Sequence, residues 1–424
     1  MAIGRRCFMK SATVAGSLLA LGASSKETSS NSRINVAIVG CRNRGSGVMK
    51  SMLQSGLFNV VTLCDCDIGN SSRGMLTFGK YADTDTKPKV ERDFRKVLDD
   101  KEVEAVVVAT PDHWHALMTV MALDAGKHVY VEKPASFNIA EGKAMVAAQE
   151  RHPELTVLVG SQQRSGQHFQ DARTFLHSGD LGKVGFCRAF DVNRREVLPI
   201  VPDSEPPEYL DYQMWLGPAP ERPYNKSRSH YNWRFIRDYG TGEMGNWGAH
   251  WLDIIRWFLD LDFPLAVTGV GGTHVVHDAK EWPDTQTVLY EYPDLTVLWE
   301  HRQWTEQCSG APCEIHGAKG SLMISRGGWS FHPAEGDPVY HDGSEMDMAH
   351  AVNFADCIRG DSTPSAPIQE GYKSAVLCHL GNISATVKRR IEFDSETQSI
   401  VHDDEAKSLE MREYRSPWRL PELS

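Results

Sequence analysis

The amino-acid sequence predicts an α/β chain in two parts: a doubly wound parallel sheet, then an α+β domain with a large open, mostly antiparallel sheet. Three observations carry that prediction. The chain has 424 residues, more than the ~250–300 at which a single hydrophobic core usually stops growing. Residues 31–157 alternate short β-branched runs with helical stretches, the order of βαβ units. After Thr156 the runs lengthen and aromatic residues alternate along them, as in Phe186–Val192, Leu265–Val270, Thr287–Tyr292 and Thr296–His301. That pattern reads as antiparallel sheet.

With 41% hydrophobic and 24% charged residues, the composition is globular, and the formal net charge is −11. Without a Lys/Arg-rich block, this acidity argues against nucleic acid or an anionic membrane surface as the main partner. No stretch reaches the ~18 apolar residues of a spanning helix. In residues 1–30, Arg5 and Arg6 precede an apolar stretch from Ala12 to Ala23 and then a Ser/Thr-rich spacer. The string RRCFMK resembles the twin-arginine export signal, which implies a periplasmic destination and folding, cofactor aboard, before export. The competing reading is an amphipathic N-terminal segment of a cytosolic protein. The cysteines beyond Cys7 form no zinc-type CxxC pair, and Cys64 and Cys66 read as small buried hydrophobes, so neither a disulfide framework nor a metal site is expected.

Arg33–Val39 is a strand-like run that ends in Gly40-Cys41-Arg42-Asn43-Arg44-Gly45. Gly47–Ser55 reads as a helix and Asn59–Cys64 as a strand, followed by Asp65, 25 residues after Gly40. Strand, glycine turn, helix, strand and acid is the order that seats a pyrophosphate on a helix N-terminus and binds a ribose through a carboxylate, as in a Rossmann domain. Gly40, Arg42 and Gly45 take the three glycine positions of that fingerprint, so an arginine stands in the middle. Arg42 either brings its guanidinium to the pyrophosphate or reshapes the loop. Asp65 favours NAD, since a carboxylate repels a 2′-phosphate, while Arg42 and Arg44 keep NADP open.

Strand Val103–Ala109 leads into Thr110, Pro111, Asp112, His113, Trp114 and His115, then a helix from Ala116 to Ala125. Strand His128–Val131 follows and ends in Glu132-Lys133-Pro134. Loops at the carboxyl ends of parallel strands bind ligands, which adds Asn43, Thr110, Pro111, Asp112, His115, Glu132 and Lys133 to the cofactor set. His113 and His115 have no acidic partners nearby in sequence and are not read as a metal pair.

ATPDHWHA followed by GKHVYVEKP resembles the Gfo/Idh/MocA oxidoreductase family. VGSQQR (Val159–Arg164), GTGEMGNWGAHWLDIIRW, EIHGAKGSLMI and the stretch from His350 resemble its later segments, so the likeness runs from Arg33 to about Asp394. It implies a Rossmann NAD(P)-binding domain over 31–157 and a substrate and oligomerisation domain over 158–394, with helices that return at its C-terminal end. Residues 395–424 are left as a tail. It also implies Lys133 beside the nicotinamide, a catalytic His250, Gln162 with the cofactor and Arg164 with the substrate. The family's aspartate four residues before that histidine is Asn246 here. An amide cannot act as a carboxylate base, so proton transfer falls to His250, Lys133 or another group, and Asn246 is left to orient a hydroxyl.

Asn246, His250 and Asp253 stand at i, i+4 and i+7 of a predicted helix, hence on one face. Asp253 would hold the imidazole or pair with Arg256. The Pro/Tyr/Trp-rich segment Pro199–Trp233, with Trp247 nearby, offers ring faces at Trp215, Tyr224, Tyr231 and Trp233 to a sugar, or else covers a sheet face or a subunit contact. The resulting expectation is an oxidoreductase acting on a sugar, glycoside or polyol, with Lys133 stabilising the alkoxide and His250 moving the proton. Export leaves no nucleotide pool, so the nicotinamide cofactor is expected to be tightly bound and regenerated in place. Glycoside hydrolysis by NAD-dependent oxidation and elimination, and a silent sugar-binding relative, remain open alternatives. An open aromatic sheet face predicts a homo-oligomer, a dimer or tetramer.

Overall fold

The computed structural model describes residues 33–420; the export-signal reading of residues 1–30 lies outside the described residues. The first sheet has six parallel strands: β1 (Ile34–Val39), β2 (Phe58–Cys64), β3 (Lys89–Glu91), β4 (Ala105–Val108), β5 (His128–Val131) and β6 (Val157–Val159). Their order is β3-β2-β1-β4-β5-β6. Because β1 pairs with β2 on one side and β4 on the other, the winding reverses there and opens a crevice beyond the strands' carboxyl ends. The four residues of β4, Ala-Val-Val-Val, are all buried, as a parallel strand covered on both faces requires.

The first helix runs Arg44–Ser55, three residues earlier than its sequence pattern predicts, because Asn43 takes a φ of 42° and starts the turn at once. The helix Asp112–Asp124 likewise begins inside the TPDHWHA string. Asp112 sits in its first turn, where a carboxylate meets the positive end of the helix dipole.

The second sheet adds ten strands: β7 (Val184–Val192), β8 (Ala266–Gly272), β9 (Thr285–Tyr292), β10 (Leu295–Arg302), β11 (Cys313–Gly317), β12 (Gly320–Ser325), β13 (Gly328–Pro333), β14 (Val339–Asp342), β15 (Ile391–Asp394) and β16 (Ser399–Val401). The order is β14-β13-β12-β11-β7-β10-β9-β8-β15-β16, antiparallel except for the β7/β10 pair. One face packs Val288, Tyr290, Val297 and Trp299 against the helices Ala249–Phe258 and Ile368–Val387. On the other face, Leu289, Leu298 and Arg188 lie side by side across β9, β10 and β7, and Arg188 is ion-paired to Glu300 and Glu314.

The Pro/Tyr/Trp-rich segment has short helical turns at Tyr212–Leu216, Lys226–Arg228 and Asn232–Phe235 and a small core of its own, including Leu210, Trp215, Trp233 and Tyr239. Backbone bonds fix it to the loop after β2: Asp211 N–H donates to the Cys66 carbonyl (2.9 Å) and Ile68 N–H to that of Tyr209 (3.2 Å). The helix Asp347–Ile358 returns to the first sheet, where Phe354 stacks on Phe58 at 6.1 Å. Residues beyond Asp394 are built into both parts: β16 extends the second sheet, and Trp418 meets Trp114 edge-on at 4.9 Å. Among the described residues no helix is long and apolar enough to cross a membrane.

Candidate active site

A cavity of about 390 Å³ lies where the carboxyl ends of β1, β2, β4 and β5 meet the Pro/Tyr/Trp-rich segment and the residues leading into the helix Ala249–Phe258. Its first half is built by the glycine turn. Gly40 has φ 89°, and a Cβ there would lie 2.5 Å from the Ala109 carbonyl oxygen. A Cβ at Gly45 would lie 1.8 Å from the Gly40 carbonyl oxygen, so neither position admits a side chain. Cys41 N–H donates to Asp65 Oδ2 (3.0 Å) and Asp67 N–H to Asp65 Oδ1 (3.0 Å), which ties the turn to the loop after β2. Burial raises the Asp65 carboxyl above the ordinary carboxylate range, and these donors act against the rise.

The helix Arg44–Ser55 has no side-chain cap. Arg42 Nε, Thr110 Oγ1 and Gln162 Oε1 are buried without a partner, all on residues that line the cavity. An uncapped helix start, a guanidinium, a carboxylate and unpartnered polar atoms together fit a dinucleotide: pyrophosphate at Arg42 and the helix start, ribose hydroxyls at Asp65. Bound there, NAD would supply the hydride acceptor.

The second half holds the proton chemistry. Lys133 Nζ donates to the Asn246 carbonyl (2.7 Å) and to Asn246 Oδ1 (3.2 Å). Burial lowers its ammonium to about 8. Asn246 Nδ2 donates in turn to Glu243 Oε2 (3.0 Å), while Glu243 Oε1 accepts from Arg195 Nε (2.6 Å). Arg195 also meets Asp191 at 2.9 Å, and burial with the neighbouring Glu243 charge pushes the Asp191 carboxyl up to about 7. This train, half-buried at Asn246 and Arg195 and buried at Glu243 and Asp191, fixes the amide with its oxygen toward Lys133.

Residues Met244–Gly248 wind as a wide π turn before the helix proper, a departure that recurs at functional sites. His250 follows it, 6% exposed, lining the cavity with Nδ1 unpartnered. Burial, then the charges of Lys133, Arg326 and Arg44, hold its pKa well below 6.5. At neutral pH the site therefore sets a neutral imidazole, able to take a proton, beside an ammonium with one N–H left for a substrate oxygen.

The remaining predicted residues shape these groups. Arg44 Nε donates to Glu132 (2.6 Å) and Nη1 to Asp347 (2.7 Å), so its guanidinium is engaged inside the protein rather than free for a 2′-phosphate. His115 stands between the Pro134 carbonyl (2.7 Å) and the Thr110 carbonyl (3.0 Å), joining the two loops that flank the cavity. Asp112 accepts from Thr241 N–H (3.1 Å) and Oγ1 (2.8 Å), and Pro111 precedes it as the start of its helix.

Residues 34–161 match the family model described as oxidoreductase family, NAD-binding Rossmann fold, and residues 183–420 match that of the family's C-terminal alpha/beta domain. The chain belongs to the Gfo/Idh/MocA oxidoreductase family. Among its relatives in this family, inositol 2-dehydrogenase of Salmonella paratyphi B is 28% identical over 152 residues, 35% of this chain and 43% of its own length. The 2,7-anhydro-N-acetylneuraminate hydratase of Mediterraneibacter gnavus is 23% identical over 257 residues, 61% of this chain and 57% of its own length. These matches span less than two thirds of either relative. The solved levoglucosan dehydrogenase, in complex with NADH and levoglucosan, aligns with a TM-score of 0.67 at 18% identity, covering 85% of this chain and 99% of its own, and shares the fold.

Within this Gfo/Idh/MocA chain two predicted site residues lie elsewhere. Arg164, expected at the substrate, is 3% exposed and donates to both oxygens of Asp253 (2.8 and 2.7 Å). Asp253 thus neither holds the His250 imidazole nor pairs with Arg256; it takes Arg164 and the Ser374 hydroxyl (2.6 Å), and Arg256 pairs with Glu370. A buried guanidinium needs a counter-charge, and Asp253 supplies the closer one, with Glu370 at 3.4 Å as the second. Of the four aromatics expected at a sugar, Tyr231, Trp233 and Trp215 line the cavity beside Trp247, whereas Tyr224 packs against the segment's own core. Arg195, Glu243, Arg234 and Arg326 were not singled out from the sequence. Glu243 stands one helical turn before Asn246 and could have been found by that spacing; the arginines carry no local signal.

Proposed function

We propose that this chain oxidises a secondary hydroxyl of a sugar, glycoside or polyol, with NAD held in the Rossmann crevice. The observation that carries the reading is the pairing, in one cavity, of a cationic Lys133 with a neutral, unpartnered His250 next to the glycine turn. His250 takes the hydroxyl proton. Lys133, held by the Asn246 carbonyl and amide oxygens, directs its third N–H at the oxygen where negative charge develops. Glu243 and Arg195 keep the Asn246 amide from turning. The sugar and polyol dehydrogenases among the relatives support the substrate class.

The twin-arginine-like residues 5–10 further support export with the cofactor bound tightly, so that electrons return to a second substrate in place. A redox-neutral outcome, oxidation followed by elimination, is the second reading; Asn246 in place of the family's aspartate and the hydratase relative favour it. The test uses full-length protein purified without added nucleotide. Denaturation and mass spectrometry identify any dinucleotide, and absorbance near ~340 nm follows its reduction as glycosides are added. Stoichiometric NAD that a sugar reduces and a keto-sugar reoxidises supports the first reading. Cleavage or dehydration without net reduction supports the second, and a protein that takes up neither NAD nor NADP removes both.

A further inference from the structure

Around His250 the cavity carries positive charge that the fold does not neutralise. Lys133, Arg234 and Arg326 all line it. Among the described residues none of the three has a carboxylate at ion-pair distance. By contrast, Arg44 is paired with Glu132 and Asp347, and Arg195 with Glu243 and Asp191. Lys133 has a task in the chemistry. The two arginines do not.

Arg234 comes from the Pro/Tyr/Trp-rich segment. Its guanidinium lies 4.4 Å from the Tyr231 ring centre and 4.3 Å from that of Trp233, and it donates to the Tyr231 carbonyl (3.1 Å). Arg326 comes from the turn between β12 and β13. It lies 4.8 Å from the Trp247 ring centre, and both Nε (3.4 Å) and Nη2 (3.2 Å) donate to the neutral Gln163 Oε1. Rings hold the guanidinium faces, and among the described residues the Nε/Nη2 edge of Arg234 and the Nη1 end of Arg326 have no hydrogen-bond acceptor.

A guanidinium keeps its charge in a protein, and a desolvated charge without a counter-ion is costly. Burial depresses the pKa of both arginines, which expresses the same unmet demand. The carboxylates that act on them, Asp112, Glu243 and Glu132 on Arg234 and Asp347 and Glu132 on Arg326, do so only through space: Asp112 accepts from Thr241, Glu243 pairs with Arg195, and Glu132 and Asp347 pair with Arg44. A neutral sugar would leave both guanidinium groups unpaired. The ring faces expected to stack a neutral sugar, Tyr231, Trp233 and Trp247, are those the arginines occupy.

We propose that the substrate is a carbohydrate bearing an anionic group, a uronate carboxylate or a sulfate ester, which Arg234 and Arg326 grip while the reacting hydroxyl faces Lys133 and His250. This rests on the dehydrogenase reading above. A planar fork can bind either anion through two parallel N–H bonds.

The test is calorimetric titration of the full chain carrying NAD with glucuronate, galacturonate, glucose 6-sulfate, glucose and galactose, alongside a separate record of nucleotide reduction. Acidic sugars are expected to bind at least about 30-fold more tightly than their neutral counterparts, and the uronate and sulfate arms distinguish the two anions. Arg234→Gln and Arg326→Gln are each expected to lose about 30-fold toward the preferred acid with nucleotide content unchanged. Equal binding of neutral and acidic sugars, or binding of neither, would overturn the proposal on wild-type protein alone. Variants that lose nucleotide instead of acidic sugar would assign the arginines to the dinucleotide phosphates and overturn it as well. Acidic sugars that bind without reducing the nucleotide would uphold this inference and remove the dehydrogenase reading; neutral sugars that reduce it with no preference for acids would do the reverse.

Discussion

The helix Ala249–Phe258 carries polar groups in two opposite conditions. Asp253 and Arg256 are buried and saturated: one by Arg164 and Ser374, the other by Glu370, Ser374 and the Leu261 carbonyl. His250, one turn earlier and 6% exposed, leaves Nδ1 without any partner and faces a cavity with unpaired cations. Buried atoms without a partner also occur in the core, as at Thr119 and Trp299; what sets His250 apart is an unmet bond together with a place on the cavity, and that combination marks a group that meets a ligand.

Separate losses are the way to break that distinction. Lys133→Met should lower kcat about 10³-fold, as removal of a charge-stabilising donor does, with the thermal midpoint unchanged or raised because a buried cation is gone. A large drop in the midpoint would place Lys133 with the structural group. Asp253→Ala should do the opposite. It leaves Arg164 buried with only the longer Glu370 contact, 3.4 Å, as counter-charge and should cost about 3 kcal/mol of stability in denaturant titration, while kcat per folded molecule stays within about fivefold. Glu243→Gln sits between the two: it weakens the acceptor that holds the Asn246 amide and should lower kcat about tenfold with KM unchanged. A shift in KM alone would place Glu243 at the substrate instead.

The sequence makes most of the first half of the site legible, because its parts are contiguous. Gly40, Arg42, Gly45 and Asp65 follow from a strand-turn-helix-strand order, and Lys133 from a strand end. What is not legible is compensation across the chain. Arg164 and Asp253 are 89 residues apart, and nothing local shows that each would be consumed by the other. Arg234 and Arg326 reach the cavity from an irregular segment and a hairpin turn, two places with no periodicity to read. The helix pattern at Asn246, His250 and Asp253 assumes α geometry throughout, and the π turn at Met244–Gly248 breaks that assumption at the first of the three.

The pH dependence of bound-nucleotide reduction under single-turnover conditions tests the central pairing most directly. His250 is held well below 6.5, so it stays neutral and active on the acid side until the pH falls through that lowered value. Lys133 loses its proton as the pH rises through about 8, and the rate should fall there. The account predicts a plateau between these limits, with the alkaline fall absent from the residual rate of Lys133→Met. A rate that climbs through pH 8, or an alkaline fall that survives in that variant, would contradict it.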